Sequence, residues 1–112
     1  MPAPVLDRRL TLEEAQNLPD GAGGFQQSWV TLGALWARLK PRLGGESGAD
    51  SATLSKAAYV ITVRAAPFGA PSRPRPDQRF REGARVFRIL AVSDNDDRGR
   101  YLNCVAQEEV AS

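Results

Sequence analysis

Asp94, Asp96 and Asp97 form the one tight acidic cluster ahead of the C-terminal tail. Oxygen ligands at that spacing suit a hard cation such as calcium, but an EF-hand loop needs glycine at its sixth position and glutamate at its twelfth. Counted from Asp94, Gly99 is sixth and Val105 is twelfth, so the cluster reads as a turn and not as a metal site. Nucleophilic chemistry has even less to work with. The chain has no histidine and Cys104 is its only cysteine, which leaves Ser-His and Cys-His pairs without a base and a Cys/His zinc site without ligands. Cys104 alternates with Leu102 and Ala106 in an apolar strand pattern, as a buried and inert thiol does. The run Gly44-Gly-Glu-Ser-Gly48 lacks the lysine and the spacing of a phosphate-binding loop. No catalytic, cofactor-binding or metal-ligating set emerges, and the expectation is a protein that is not an enzyme and carries no cofactor.

Arginine is the remaining source of chemistry. Thirteen arginines stand against two lysines although the net charge is only +2, a bias toward planar, multi-donor contacts with carboxylate or phosphate. The densest basic run is Arg73, Arg75, Arg79 and Arg81, in and just after the proline-rich stretch Pro67 to Asp77. Single-strand binders interleave such charges with exposed aromatics, and here Phe80 alone stands between Arg79 and Arg81. Trp29 and Trp36 are the other residues of interest. Trp36 shares a strand face with Arg38 and Lys40, and tryptophan and arginine are over-represented among interface hot spots.

These residues must be held by strands. Leu6, Arg8, Leu10 and Leu12 alternate with Asp7, Arg9, Thr11 and Glu13 at a period of two, which suits a strand. A competing helical reading uses Thr11 and Glu14 as a capping box, but Pro19 would end such a helix after about two turns. The stretch from Phe25 to Leu32 alternates in the same way. The corner Pro19-Asp-Gly-Ala-Gly-Gly24 between them then reads as a hairpin loop with glycines for positive φ. Gly33 is expected to break the run before Ala34–Leu43. Ala57–Ala65, rich in β-branched residues, reads as a central strand with Tyr59, Ile61 and Val63 on one side. Arg79–Arg81, Arg85–Ser93 and Arg100–Gln107 are further strands, the last two joined by the aspartate-rich turn ending at Gly99. In Arg85–Ser93 both faces look apolar, with Phe87, Ile89 and Ala91 on one and Val86, Leu90 and Val92 on the other. A small sheet covered on both faces implies closure, a packed helix or a neighbouring subunit. The segment from Asp50 to Ala57 is the one place for a short helix, and Pro67–Asp77 is expected to be an extended arm or ordered loop.

The fold class expected is all-β: a small barrel or sandwich of about six strands, with long loops and at most one short helix. A chain of 112 residues fits a single domain spanning residues 1–112, with a core over about 6–109 and loops over about 44–56 and 67–78. The first residues show no basic region followed by an apolar run, and no stretch reaches the roughly 18 apolar residues of a membrane helix. A soluble, internal protein with no membrane partner is expected.

The order of several short features is more specific than any one of them. Pro19-Asp-Gly-Ala-Gly-Gly-Phe25, Ser28-Trp29, Leu35-Trp36-Ala37, Tyr59-Val-Ile-Thr-Val-Arg64, Gly83 with Val86-Phe-Arg-Ile89, Asp96-Asp-Arg98 with Tyr101-Leu102, and Gln107-Glu-Glu109 follow one another in a sequence that resembles the head-tail joining proteins of long-tailed phages. These are also called head-closure or stopper proteins, and related ones occur in gene transfer agents of alphaproteobacteria. The resemblance covers about Leu6 to Glu109, and the proline-rich arm departs from it in being longer and more basic.

The resemblance implies a small β-barrel virion subunit that assembles as a ring, hexameric by expectation, at the head-tail junction of a phage-like particle put together in the bacterial cytoplasm. Portal and adaptor proteins would lie above it and a tail terminator or tail tube below. Double-stranded DNA would pass through the channel without sequence readout, and the ring would retain it. On that basis Trp29, Trp36, Arg38, Val86 and Leu90 are the candidate subunit interface, and Arg73, Arg75, Arg79 and Arg81 are candidate DNA-proximal or inter-ring residues. The alternatives are a small β-barrel nucleic-acid-binding module and an accessory interaction module of another complex.

Overall fold

The period-two stretches become strands. The computed structural model describes residues 3–42, 57–96 and 98–109. It contains β1 (Arg8–Pro19), β2 (Phe25–Pro41), β3 (Ala58–Arg64), β4 (Arg79–Glu82), β5 (Arg85–Asp94) and β6 (Tyr101–Glu109), and no helix among the described residues. Every pairing is antiparallel, and the order β1-β2-β3-β6-β5-β4 returns to β1, a closed barrel. The all-β expectation holds. The Asp50–Ala57 helix and the loop around Gly44 fall almost wholly outside the described residues.

Inward-pointing residues of all six strands make the core: Leu10 and Leu12 from β1, Ala37 from β2, Ile61 and Val63 from β3, Phe80 from β4, Phe87 and Ile89 from β5, and Leu102, Cys104 and Ala106 from β6. Phe87 also meets Tyr59 edge-on, with ring centroids 5.4 Å apart. The helical reading of Thr11–Glu14 gives way because inward-facing Leu10 and Leu12 are worth more than the helix propensity of two glutamates, roughly 2 kcal/mol each against a few tenths.

Two β-bulges correct the simple alternation. Gly33 does not break β2. The register slips between Leu12 and Glu13, leaving Leu32 as an extra residue on β2, and Gly33, at φ +154°, carries the strand through a backbone shape that favours glycine. In β5 the slip falls between Ile89 and Ala91, with Leu90 as the extra residue. An added residue inverts the facing of everything after it. Val92 therefore joins Phe87 and Ile89 against the core, while Leu90 and Ala91 both face solvent. The expected two-sided apolar strand is mostly one-sided.

The corner between β1 and β2 is the hairpin loop anticipated. The Asp20 carboxylate accepts hydrogen bonds from the amides of Ala22 (2.8 Å) and Gly24 (3.0 Å), while Gly21 and Gly23 take φ of +82° and +89°. The proline-rich stretch is an ordered loop and not an extended arm. Successive turns join Ala70 to Pro67, Arg73 to Ala70 and Gln78 to Arg75, with Pro74 fully buried. Its end continues the ladder: Asp77 N donates to Ile89 O and Ile89 N to Gln78 O, each at 2.9 Å.

Burial pushes the Cys104 thiol up to about 12, so almost no thiolate exists near neutrality. A thiol-specific disulfide reagent at pH 8 is expected to leave the native protein unlabelled during the time in which guanidinium-unfolded chain reacts completely. Rapid labelling of the native protein would contradict the core described.

Candidate assembly surfaces

β4 is only four residues long and touches β1 at Thr11↔Arg81, Leu12↔Phe80 and Glu13↔Arg79. With Leu12 and Phe80 inward, alternation turns Glu13, Arg79 and Arg81 outward together. Glu13 is nonetheless only 4% exposed, because Arg79 Nε donates to one carboxylate oxygen at 2.6 Å and Arg81 Nε to the other at 2.9 Å. The Arg79 guanidinium also lies 4.0 Å from the centroid of the Trp29 ring, a cation–π contact. Burial pushes the Glu13 carboxyl up, but the two arginines outweigh it and hold it below the ordinary value of 4.5.

The other arginines of the basic run also have internal partners. Arg75 pairs with Glu14, whose carboxylate also accepts from Gln78 Nε2 at 3.0 Å. Arg73 donates to the Ala66 carbonyl at 2.8 Å and sits 3.9 Å from the Phe68 ring centroid. The four arginines of this run are the candidates for a DNA-proximal or inter-ring position. The structure brings three of them to Glu13 and Glu14 of β1, more than sixty positions away in the chain, a pairing that no local motif could have signalled. Phe80, offered as a stacking platform, is fully buried and cannot meet a base.

At the far end of the sheet, Arg85 Nε donates to Glu108 at 2.8 Å and Arg8 is joined to Glu82 through two bonds of 2.6 and 2.8 Å. Bonding from Arg85 lowers the Glu108 carboxyl, and bonding from Arg8 lowers that of Glu82. Val86 is half-buried beside this group.

Two surfaces stand out. The first is the hairpin. Since β4 ends at Thr11–Glu13 and β3 pairs only with Ala37–Pro41, the part from Gln16 to Gln27 is a two-stranded ribbon extending beyond the barrel. It carries exposed Leu18 and Phe25, the latter 73% exposed, with exposed Val30 at its root opposite Glu14, and contributes to a long dimension of 55 Å against 23 Å for the shortest. The second is the outer wall of β1, β2 and β3, where Trp36 is 57% exposed. It borders a groove of about 770 Å³ lined by Pro4, Leu6, Ala34, Trp36, Arg64 and Tyr101 among others. Arg38 lies on the same wall, with Nη2 3.4 Å from Thr62 Oγ1. Leu90, 51% exposed, is on β5, so the candidate interface residues are spread around the barrel and not gathered in one patch. Among the described residues no group of three or more His, Cys, Asp or Glu side chains is placed to hold a metal.

A closed antiparallel barrel with solvent-facing aromatics and a projecting ribbon defines a small all-β protein with apolar area left on its outer surface. The comparisons agree: residues 1–109 match the phage head completion protein family, and the chain belongs to that family. A chain in the solved virion of a native gene transfer agent particle is 51% identical, with 98% of this chain and 100% of that chain covered and a TM-score of 0.80. The solution structure of protein SF1141 from Shigella flexneri 2a shares the fold at 19% identity and a TM-score of 0.65, covering 96% of each chain. Comparison with curated proteins gives no match.

Glu13 generates a prediction. Its carboxyl titrates lower when folded than when unfolded, so its contribution is complete above about pH 4.5 and is lost as the pH falls through the depressed folded value. Glu13→Gln should destabilise the protein by about 2 kcal/mol at pH 7, since it leaves the largely buried Arg79 and the half-exposed Arg81 without a counter-charge. Urea titrations should show that gap closing as the pH drops toward 3. A gap that is absent at pH 7, or equally large at pH 3, would contradict the role given to Glu13.

Proposed function

We propose that this protein is a non-enzymatic subunit of the head-tail junction of a gene-transfer-agent or phage particle. Copies assemble as a ring, most simply a hexamer, that closes the filled head and joins it to the tail. Portal and adaptor proteins lie above the ring and the tail terminator or tail tube below, and double-stranded DNA passes through the channel without sequence readout until the ring retains it. One domain, residues 1–112, supplies each subunit, and assembly takes place in the bacterial cytoplasm.

The observation that carries this reading is the full-length, 51% identical counterpart within a gene transfer agent virion. Physical features support it. A ribbon with exposed Phe25 and Leu18, exposed Val30 at its root and a wall with exposed Trp36 leave apolar area that further chains can cover. A ring is the closed arrangement open to subunits that use two different faces, and here Trp36 and Leu90 lie on strands well separated around the barrel. The nucleic-acid-module alternative loses its main support, because Arg75, Arg79 and Arg81 are engaged by Glu13 and Glu14 and Phe80 is buried.

Deleting the gene in the bacterium that encodes the chain should give heads without tails that lose DNA on purification, with tailed particles restored by a plasmid copy. Electron microscopy and nuclease protection of particle DNA provide the readout. Normal numbers of tailed, DNA-protecting particles in the deletion strain would refute the proposal.

A further inference from the structure

Positive charge is distributed unevenly over the barrel. The arginines of β4 and the proline-rich loop are occupied by glutamates or by the Ala66 carbonyl. On the wall of β1, β2 and β3 the situation differs: Arg9, Arg38, Lys40 and Arg64 form no ion pair among the described residues. Register places Arg9 directly opposite Trp36, with Arg38 two residues further along the same face and Arg64 following Val63, the partner of Ala37. Cations therefore flank the exposed tryptophan on its own strand and on both neighbouring strands, with Asp7 the acidic residue of the adjoining groove.

Arg38 is the most informative of these. Its Nε is buried without a hydrogen-bond partner, and among the described residues its one side-chain hydrogen bond, to Thr62 Oγ1, is long at 3.4 Å. Thr62 Oγ1 accepts from Nη2 and not from Nε, while its own proton is donated to Asn103 Oδ1 at 2.8 Å, an oxygen that also accepts from Asn95 Nδ2 at 3.0 Å. An unpaired buried donor is costly, and a guanidinium edge fits a carboxylate through two parallel bonds. Arg64 is held over the Tyr101 ring, 5.7 Å from its centroid, at the groove margin. Beside Trp36 the groove is lined by Pro4, Leu6 and Ala34, and also by Asp7, so an incoming carboxylate must lie toward Arg38 and Arg64 and away from Asp7.

We propose that this wall docks a segment of a neighbouring protein in which carboxylates flank a bulky apolar side chain. The apolar side chain fills the groove beside Trp36, and the carboxylates take up Arg38 and Arg64. Charge complementarity selects an acidic partner, and the exposed tryptophan with its apolar groove selects protein over duplex DNA. Phosphates would satisfy the arginines but leave Trp36 and the groove uncovered. The inference rests on the reading of the chain as a particle component and adds the chemistry of one partner contact.

The test uses assembled particles from the encoding bacterium, carrying Trp36→p-benzoylphenylalanine. Immunoblotting first establishes that the chain is in the particle, and its absence from particles of the unsubstituted strain would count against the particle role itself. With the chain present, irradiation and mass spectrometry are expected to find position 36 attached to a peptide of a different protein with at least two carboxylates close to the attachment point. Adding Arg38→Gln and Arg64→Gln should lower the yield at least about tenfold, as loss of two charge-assisted contacts implies, while thermal melting of the purified variant confirms that it folds. Attachment to DNA, to a second copy of this chain or to a segment without carboxylates, or no attachment at all, overturns the proposal.

Discussion

A six-stranded sheet becomes a barrel only if its two outer strands meet, and here that meeting rests on three residue pairs between β1 and β4. The pairs are short on hydrogen bonds, so side chains reinforce them from both faces. Inside, Leu12 and Phe80 are buried against each other's strands; outside, Glu13 is clamped by Arg79 and Arg81. The buried carboxylate would be costly alone, and the pair of arginines makes it a fastener. Without this seam β1 and β4 would present open edges, and the core they cover would face water.

The brevity of β4 has a second consequence. Because the seam ends at Glu13, both strands of the β1–β2 hairpin run on without lateral partners. An isolated two-stranded ribbon is marginal in water, and this one is braced at its root where Glu14 engages Arg75 and Gln78 of the proline-rich loop and Trp29 is covered by Arg79. Arginines that looked available for nucleic acid thus hold the ribbon in its direction. Charge left over appears on the opposite wall around Trp36. A small all-β protein of the head completion family in this way uses Arg75, Arg79 and Arg81 to hold its own shape, while Arg9, Arg38 and Arg64 form no ion pair among the described residues.

Much of this was legible in the amino-acid sequence, and the exceptions share a cause. The β-branched run of β3, the aspartate-rich turn before β6 and the Asp20 corner are local signals, and each falls where its residues indicate. The order of short motifs likewise led to the family. Gly33 and Leu90 misled because a bulge is defined by the partner strand's register, which a single strand's alternation does not contain. The Glu13 clamp was invisible for a similar reason, since its partners lie 66 and 68 residues away. Glutamates after Thr11 even suggested helix, and only their place beside β4 explains them.

Closure of the sheet through the β1–β4 seam is the claim on which the rest depends, and amide hydrogen exchange measured residue by residue tests it most directly. If the seam is formed, every amide from Thr11 to Glu13 and from Arg79 to Arg81 has a strand partner on one side or the other. All of them should then exchange as slowly as those of β3 and β6. If alternate amides in these two stretches exchange at the rate of an open edge while β3 and β6 stay protected, the barrel is not closed and the account fails.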